Sequence, residues 1–177
     1  FYGPKLDIQI KNVFGKEDTL ITIQIDFQLA ERFGMEYTDR EGQKRHPYII
    51  HRTSIGCYER TLALLIEKYA GAMPLWIAPE QARVLPISEK HLEAAGQLAQ
   101  SLRDQGLRAE VDERDEKIGK KIREAQMDKL QYMLVIGDQE IEQGTIAVRS
   151  RLDGDLGTMP VADLVARMKK EIAERRR

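Results

Sequence analysis

Cysteine is nearly absent from this chain. Cys57 is the single one in 177 residues, which excludes an internal disulfide and any metal site built on several thiolates. A reducing setting follows, and a cytoplasmic location is expected. Long apolar runs are missing too. No stretch approaches the roughly 20 residues of a membrane helix, so no span is expected. The opening FYGPKLDIQI alternates polar and apolar residues where a secretory leader would place a basic stretch and an apolar block. An excess of one charge is also absent. The 28 Lys and Arg nearly balance 29 Asp and Glu, so the chain lacks the global basic field of many nucleic-acid binders, and any RNA contact needs a local patch. The first residue is Phe1 rather than a methionine, which points to a chain taken from something longer.

What is present is the composition of a folded protein. Hydrophobic residues make up 42% and charged residues 32%, which argues against disorder. The length suits one full domain and part of another. Residues 21–27, ITIQIDF, alternate strictly, with Ile21, Ile23, Ile25 and Phe27 on one face and Thr22, Gln24 and Asp26 on the other. Residues 6–10 alternate likewise, so the two segments can pair, and residues 48–55 form a third candidate strand. At Cys57 the period changes. Leu62, Leu65, Ile66 and Tyr69 recur at helical spacing up to Gly71. Antiparallel strands running into one helix are too little to close a core alone.

Residues 73–79, MPLWIAP, place two prolines around the single tryptophan and read as a linker. Beyond it strands and helices alternate: strand 83–87, helix 92–102, strand 107–111, helix 117–129, strand 132–136, strand 145–151 and helix 161–175. The expected fold class is α/β: a partial antiparallel sheet with one helix in residues 1–74, then a compact three-layer α/β domain with a mixed sheet in residues 75–177.

Several local groups invite chemistry. In Gly56-Cys57-Tyr58-Glu59-Arg60 a strand enters a helix, and Arg60 falls in the first turn, where backbone N–H groups and the helix dipole favour anions. The bland reading, a decorated helix start, outweighs a phosphate contact for this string taken alone. A lone histidine such as His51 is more often structural than a ligand. Lys117, Lys120, Lys121 and Arg123 lie within two helical turns and can meet a phosphate backbone, although most charge runs are solvated faces.

Three strings change the weighing: FYGPK with TIQIDF (1–5, 22–27), IHRTSIGCYERTLALLIEKYAG (50–71), and RDEKIGKKIRE with YMLVIGDQEIEQGTIAVRSR (114–124, 132–151). Together they resemble threonyl-tRNA synthetases along essentially the whole chain: the end of a class II catalytic domain, then an anticodon-binding domain. The resemblance implies the arginine of the third class-defining motif at Arg60, contacting ATP, and places Gln24, Tyr2 and Lys5 in the adenylate pocket. It makes His51 the last ligand of a zinc ion whose other two ligands lie upstream of Phe1, so little zinc should bind this chain alone. It assigns anticodon contacts to Asp115, Arg123, Lys129, Glu140 and Arg149. For the parent enzyme it implies ATP with Mg, threonine, tRNA(Thr) and a homodimer. The isolated chain is expected to be inactive, because the first two class motifs are absent. Two departures stand out. Thr19 occupies the place of a family glutamine, and Cys57-Tyr58 replaces Ser-Met. A non-catalytic RNA-binding module, or kinship with prolyl- or histidyl-tRNA synthetases, are the alternatives.

Overall fold

The computed structural model describes residues 3–176, so Tyr2 lies outside the described residues. The chain divides into two compact units, Phe1–Lys68 and Tyr69–Arg177.

The first unit is built on a three-stranded antiparallel sheet in the order β1 (Lys5–Lys11), β2 (Glu17–Asp26), β5 (Ile49–Arg52). Between β2 and β5 come a single helical turn, α1 (Leu29–Arg32), and a two-residue hairpin, β3 (Tyr37–Thr38) with β4 (Lys44–Arg45). The β1–β2 ladder slips once. Ile8 faces Ile21 but Gln9 faces Thr19, so Leu20 is the extra residue of a bulge. Without it, period-2 alternation would put Leu20 on the face of Thr22 and Gln24. With it, Thr19 joins that polar face beside Gln9. The opposite face carries Leu6, Ile8, Ile21, Ile23, Ile25 and Ile50. That face stays largely open among the described residues, with Leu6 59% and Ile50 67% exposed, as expected for strands and one helix that are too few to close a core. The reason is the short inventory of elements. The helix α2 (Tyr58–Tyr69) buries none of its own residues.

The second unit has a five-stranded mixed sheet in the order β10 (Gly154–Pro160), β9 (Thr145–Ser150), β8 (Tyr132–Ile136), β6 (Ala82–Pro86), β7 (Ala109–Val111). The β8–β6–β7 part is parallel, and β9 and β10 are antiparallel additions. Helices α3 (Leu92–Asp104) and α6 (Val161–Ala173) pack on one face with Val84, Leu134, Ile146 and Val148 at the centre of the core. Helix α4 (Ile118–Met127) covers the other face over Leu85 and Met133, and the six-residue α5 (Asp138–Gln143) links β8 to β9. Each fully buried Leu or Ile in such a core contributes about 1.5–3 kcal/mol. The mixed three-layer expectation holds. The proline-rich stretch is not a free linker: Leu75 and Ala78 are buried, and Gln81 Nε2 donates to the Leu75 carbonyl at 2.8 Å.

Candidate nucleotide and anticodon sites

The polar face of the first sheet forms an open cleft of about 480 Å³ lined by Thr22, Gln24, Asp26, Leu29, His51 and Thr53. Cross-strand register assembles it, because Lys5 lies opposite Gln24 and Gln24 opposite His51. The Gln24 amide makes no hydrogen bond to described residues, so it is available to a ligand. Lys5 is engaged, its Nζ 3.0 Å from Asp7 Oδ2. Asp7 also accepts from the Thr22 hydroxyl at 2.7 Å, and these contacts hold its carboxyl below the ordinary range.

Arg60 sits in the first turn of α2, exposed, with Nη1 donating to the Thr19 carbonyl at 3.2 Å. Gly56 makes the approach possible. Its φ is +78°, and a Cβ there would lie 2.5 Å from the Leu20 carbonyl oxygen. The strand-to-helix turn is thus packed directly on the bulge, and the bulge carbonyl holds the guanidinium.

His51 pairs with a residue that the sequence reading did not single out. Its Nε2 is 3.2 Å from Oδ2 of Asp26, whose other oxygen accepts the backbone N–H groups of Gln28 and Leu29 at 2.9 Å. Those backbone donors, Leu29 first, hold the buried Asp26 carboxyl low. A histidine oriented by a carboxylate is the usual posture of a metal-bound imidazole. One histidine is nevertheless not a zinc site. Among the described residues no group of three or more His, Cys, Asp or Glu is placed to hold a metal. The residues present do not by themselves fit a zinc ion.

In the second unit, residues paired across a sheet share a face, and Arg149 lies opposite Met133. Met133 belongs to the α4 side, whereas Ile146 and Val148 point into the α3/α6 core. Arg149, Ala147 and Thr145 therefore face the α4 side of β9, which is only half-buried. Arg149 Nη2 is 3.3 Å from Asp155 Oδ2 on β10. Arg123 is exposed on α4, one position from Glu124, whose carboxylate is bound toward β7 by Arg114 at 2.5 Å. Helical geometry puts Arg123 on the flank away from β7. Asp115 is exposed on the loop into α4, and Glu140 Oε2 accepts from Gly137 N at 2.9 Å at the carboxyl end of β8. Lys129 differs from the other four. It has φ +60°, and its Nζ donates to the Ala70 carbonyl, so it anchors the chain entering the unit.

The expected stripe of four cations on α4 is corrected by Lys121, which is only 3% exposed. It stands at a core position among Ile118, Ile122 and Ala125, and its Nζ donates to the carbonyls of Pro86 at 3.2 Å and Asp112 at 3.1 Å. The spacing i, i+3, i+4, i+7 from Ile118 was the available signal. Lys120 is neutralised locally by Glu116.

A family profile described as "Anticodon binding domain" matches residues 81–171, and one described as "tRNA synthetase class II core domain (G, H, P, S and T)" matches residues 1–69. The chain belongs to the anticodon-binding domain family. It also carries a segment of the class II synthetase core. A threonine–tRNA ligase of Clostridium perfringens is 63% identical over 99% of this chain and 27% of its own length. One from Clostridium botulinum is 56% identical over 100% of this chain and 28% of its own. One from Natranaerobius thermophilus is 49% identical over 97% of this chain and 27% of its own. The chain thus spans about a quarter of the length of these curated relatives. The crystal structure of the RNA binding domain of threonyl-tRNA synthetase from Cryptosporidium parvum superposes with a TM-score of 0.82 at 36% identity, covering 96% of this chain and 43% of that one. These findings bear out the resemblance to the C-terminal portion of a threonyl-tRNA synthetase. No helix of the described residues is long and apolar enough to cross a membrane.

Proposed function

We propose that this chain reads the anticodon of tRNA(Thr) through its second unit, within a ligase that joins threonine to that tRNA at the expense of ATP. The observation that carries the reading is the half-open α4 side of β9. There Arg149 stands on the half-buried face of β9, Arg123 is exposed on α4, Asp115 is exposed on the loop before α4, and Glu140 lies just beyond the end of β8. Unstacked anticodon bases are read by hydrogen bonds to their edges and by stacking on guanidinium planes, and this surface offers both. Arg149 is held by a single long ion pair that a base edge can replace.

The first unit contributes one wall of the nucleotide site. Arg60, in the first turn of α2, offers a planar, permanently charged donor to a phosphate, with Gln24 reading polar atoms across the cleft and Lys5 and Tyr2 on the amino-acid side. ATP with Mg supplies the activation chemistry in the whole enzyme, where His51 is one candidate donor for zinc. Positioning and charge neutralisation are what these residues can do. The 177-residue chain by itself is expected to show no threonine-dependent pyrophosphate exchange, and detectable exchange would overturn that expectation. A cytoplasmic setting and dimerisation of the whole enzyme complete the proposal.

The test is a titration of the chain with a tRNA(Thr) anticodon stem-loop and an anticodon-altered control at fixed salt. Tighter binding to the cognate loop, lost in Arg149→Ala and Arg123→Ala, is the expected result. Equal binding to both loops would defeat the reading.

A further inference from the structure

Strand β10 lies at the edge of its sheet, paired with β9, and its sequence GDLGTMP carries two glycines and a proline. Such residues weaken a strand, so the β9–β10 hairpin gains from a tether outside its own ladder. Gly154 opposite Ser150 is the first rung beyond the turn, and Asp155 opposite Arg149 is the next. The Asp155 carboxylate accepts from Gly157 N at 2.9 Å through Oδ1 and faces Arg149 Nη2 with Oδ2. The plane of the Arg149 guanidinium is therefore set by a rung close to the turn.

The tether is the turn residue Asp153. Its carboxylate receives Arg167 Nη2 from α6, and Arg176 Nη2 and Nη1 at 2.9 and 3.1 Å from the segment that follows α6. These guanidinia, Arg176 first, hold the Asp153 carboxyl below its usual range. Arg176 reaches the turn because the chain reverses at Arg175, whose φ is +49°. Arg175 N donates to the Ile172 carbonyl and Arg176 N to that of Glu171, both at 3.1 Å. Helices ordinarily place glycine in this closing geometry, and a side chain there is strained. What the arginine supplies is its guanidinium, 5.6 Å from the centroid of the Trp76 ring. The Trp76 carbonyl is itself held by Arg108 Nη2 at 3.2 Å. Two successive arginines thus clip the hairpin turn and the segment entering the unit to the end of α6.

We propose that Arg175 and Arg176 form a latch, with Arg176 the positioning residue that holds the β9–β10 turn and, through the Asp155 rung, fixes Arg149 for its ligand. The proposal rests on the anticodon reading above and adds to it a positioning residue anchored on α6, across the sheet from the α4 side. The ion pairs of the latch are partly exposed, and such pairs are individually weak, so the latch opens at small cost. Coupling of this kind is reciprocal: a closed latch that favours binding is itself favoured by binding. Trp76, the single tryptophan of the chain, reports its state. The change is confined to Trp76 and residues 175–176, with α3 and α6 unmoved.

The test titrates the full chain with the cognate anticodon stem-loop and the anticodon-altered control at fixed salt, reading affinity and Trp76 emission together. Arg176→Ala should weaken the cognate loop on the order of fivefold and the altered loop far less. Arg176→Lys, which keeps the charge but not the paired donors, should fall between. Asp153→Asn attacks the same contact from the turn, so adding Arg176→Ala to it should cost nothing more. In the wild type the cognate loop should shift Trp76 emission, and Arg176→Ala should abolish that shift. Cognate affinity unchanged in Arg176→Ala, or wild-type emission silent on binding, would overturn the latch and leave the anticodon preference standing. Equal weakening of both loops would also overturn it, because that is the mark of a lost phosphate attraction. Equal binding of both loops by the wild type would remove the anticodon reading and the latch with it.

Discussion

A buried polar contact of the second unit gives a quantitative test of how its last helix is held. Tyr132, on β8, is 1% exposed; its hydroxyl donates to Glu171 Oε1 at 2.8 Å and accepts from Arg167 Nε at 3.0 Å. Both partners lie on α6. Tyr132→Phe removes the phenol and leaves Glu171, itself 8% exposed, to Arg167 and Arg176. Loss of a buried hydrogen bond to a charged acceptor costs about 1–2 kcal/mol. In a unit of this size that lowers Tm by roughly 5–10 °C. The same hydroxyl makes an alkaline prediction. Burial, the largest cause, pushes the Tyr132 phenol up to about 12. An acid whose folded pKa is raised keeps its full contribution below the unfolded value near 10, then loses it as pH rises through 12, a total on the order of 2–3 kcal/mol. Urea melts of wild type and Tyr132→Phe between neutral pH and pH 12 separate this group from the lysines, which titrate in both proteins. Wild type should converge on the variant as pH rises. Parallel curves, or a variant as stable as wild type at neutral pH, would refute the reasoning.

Two further outcomes follow from the geometry. Gly56→Ala forces a side chain into a φ of +78° and against the Leu20 carbonyl, so it should displace the first turn of α2 and break the Arg60–Thr19 contact. The conformational part alone costs about 1–2 kcal/mol, and limited proteolysis of the first unit reads it; an unchanged cleavage pattern would contradict the packing. Asp112, buried and held low chiefly by Arg114, contributes stability that is present above about pH 4 and lost as pH falls through its depressed folded value. Acid titration of Asp112→Asn should therefore be flatter than that of wild type, and coincident curves would count against the ion pair.

Much of this was legible in the residues, for a physical reason in each case. Strand β8 is a continuous apolar run buried on both faces, and both its bounds follow from the sequence. Helices α3 and α6 carry clear apolar stripes. Strand β10 escaped because GDLGTMP holds two glycines and a proline, which argue against a strand. Its edge position tolerates them, with the ladder slipping between Asp155 and Gly157. Helix α5 has no apolar stripe and is held by its ends, the Glu140 carboxylate on Gly137 N and a left-handed Gly144. The bulge at Leu20 cannot be read from alternation, since it is the break in alternation that moves Thr19 onto the polar face. Lys121 was hidden by its charge. A lysine at a core position buries only when carbonyls at the strand ends receive its ammonium, and that is a tertiary fact. The Asp26–His51 pair was hidden for the same reason, its partners lying on strands joined through a long excursion.

The most direct check on the anticodon reading is a residue-resolved map of backbone amide shifts as the chain is titrated with the cognate anticodon stem-loop. Shifts are expected in Thr145–Ser150, around Arg123 and in the loops holding Asp115 and Glu140, with the α3 and α6 face quiet. Shifts confined to that α3 and α6 face would contradict it.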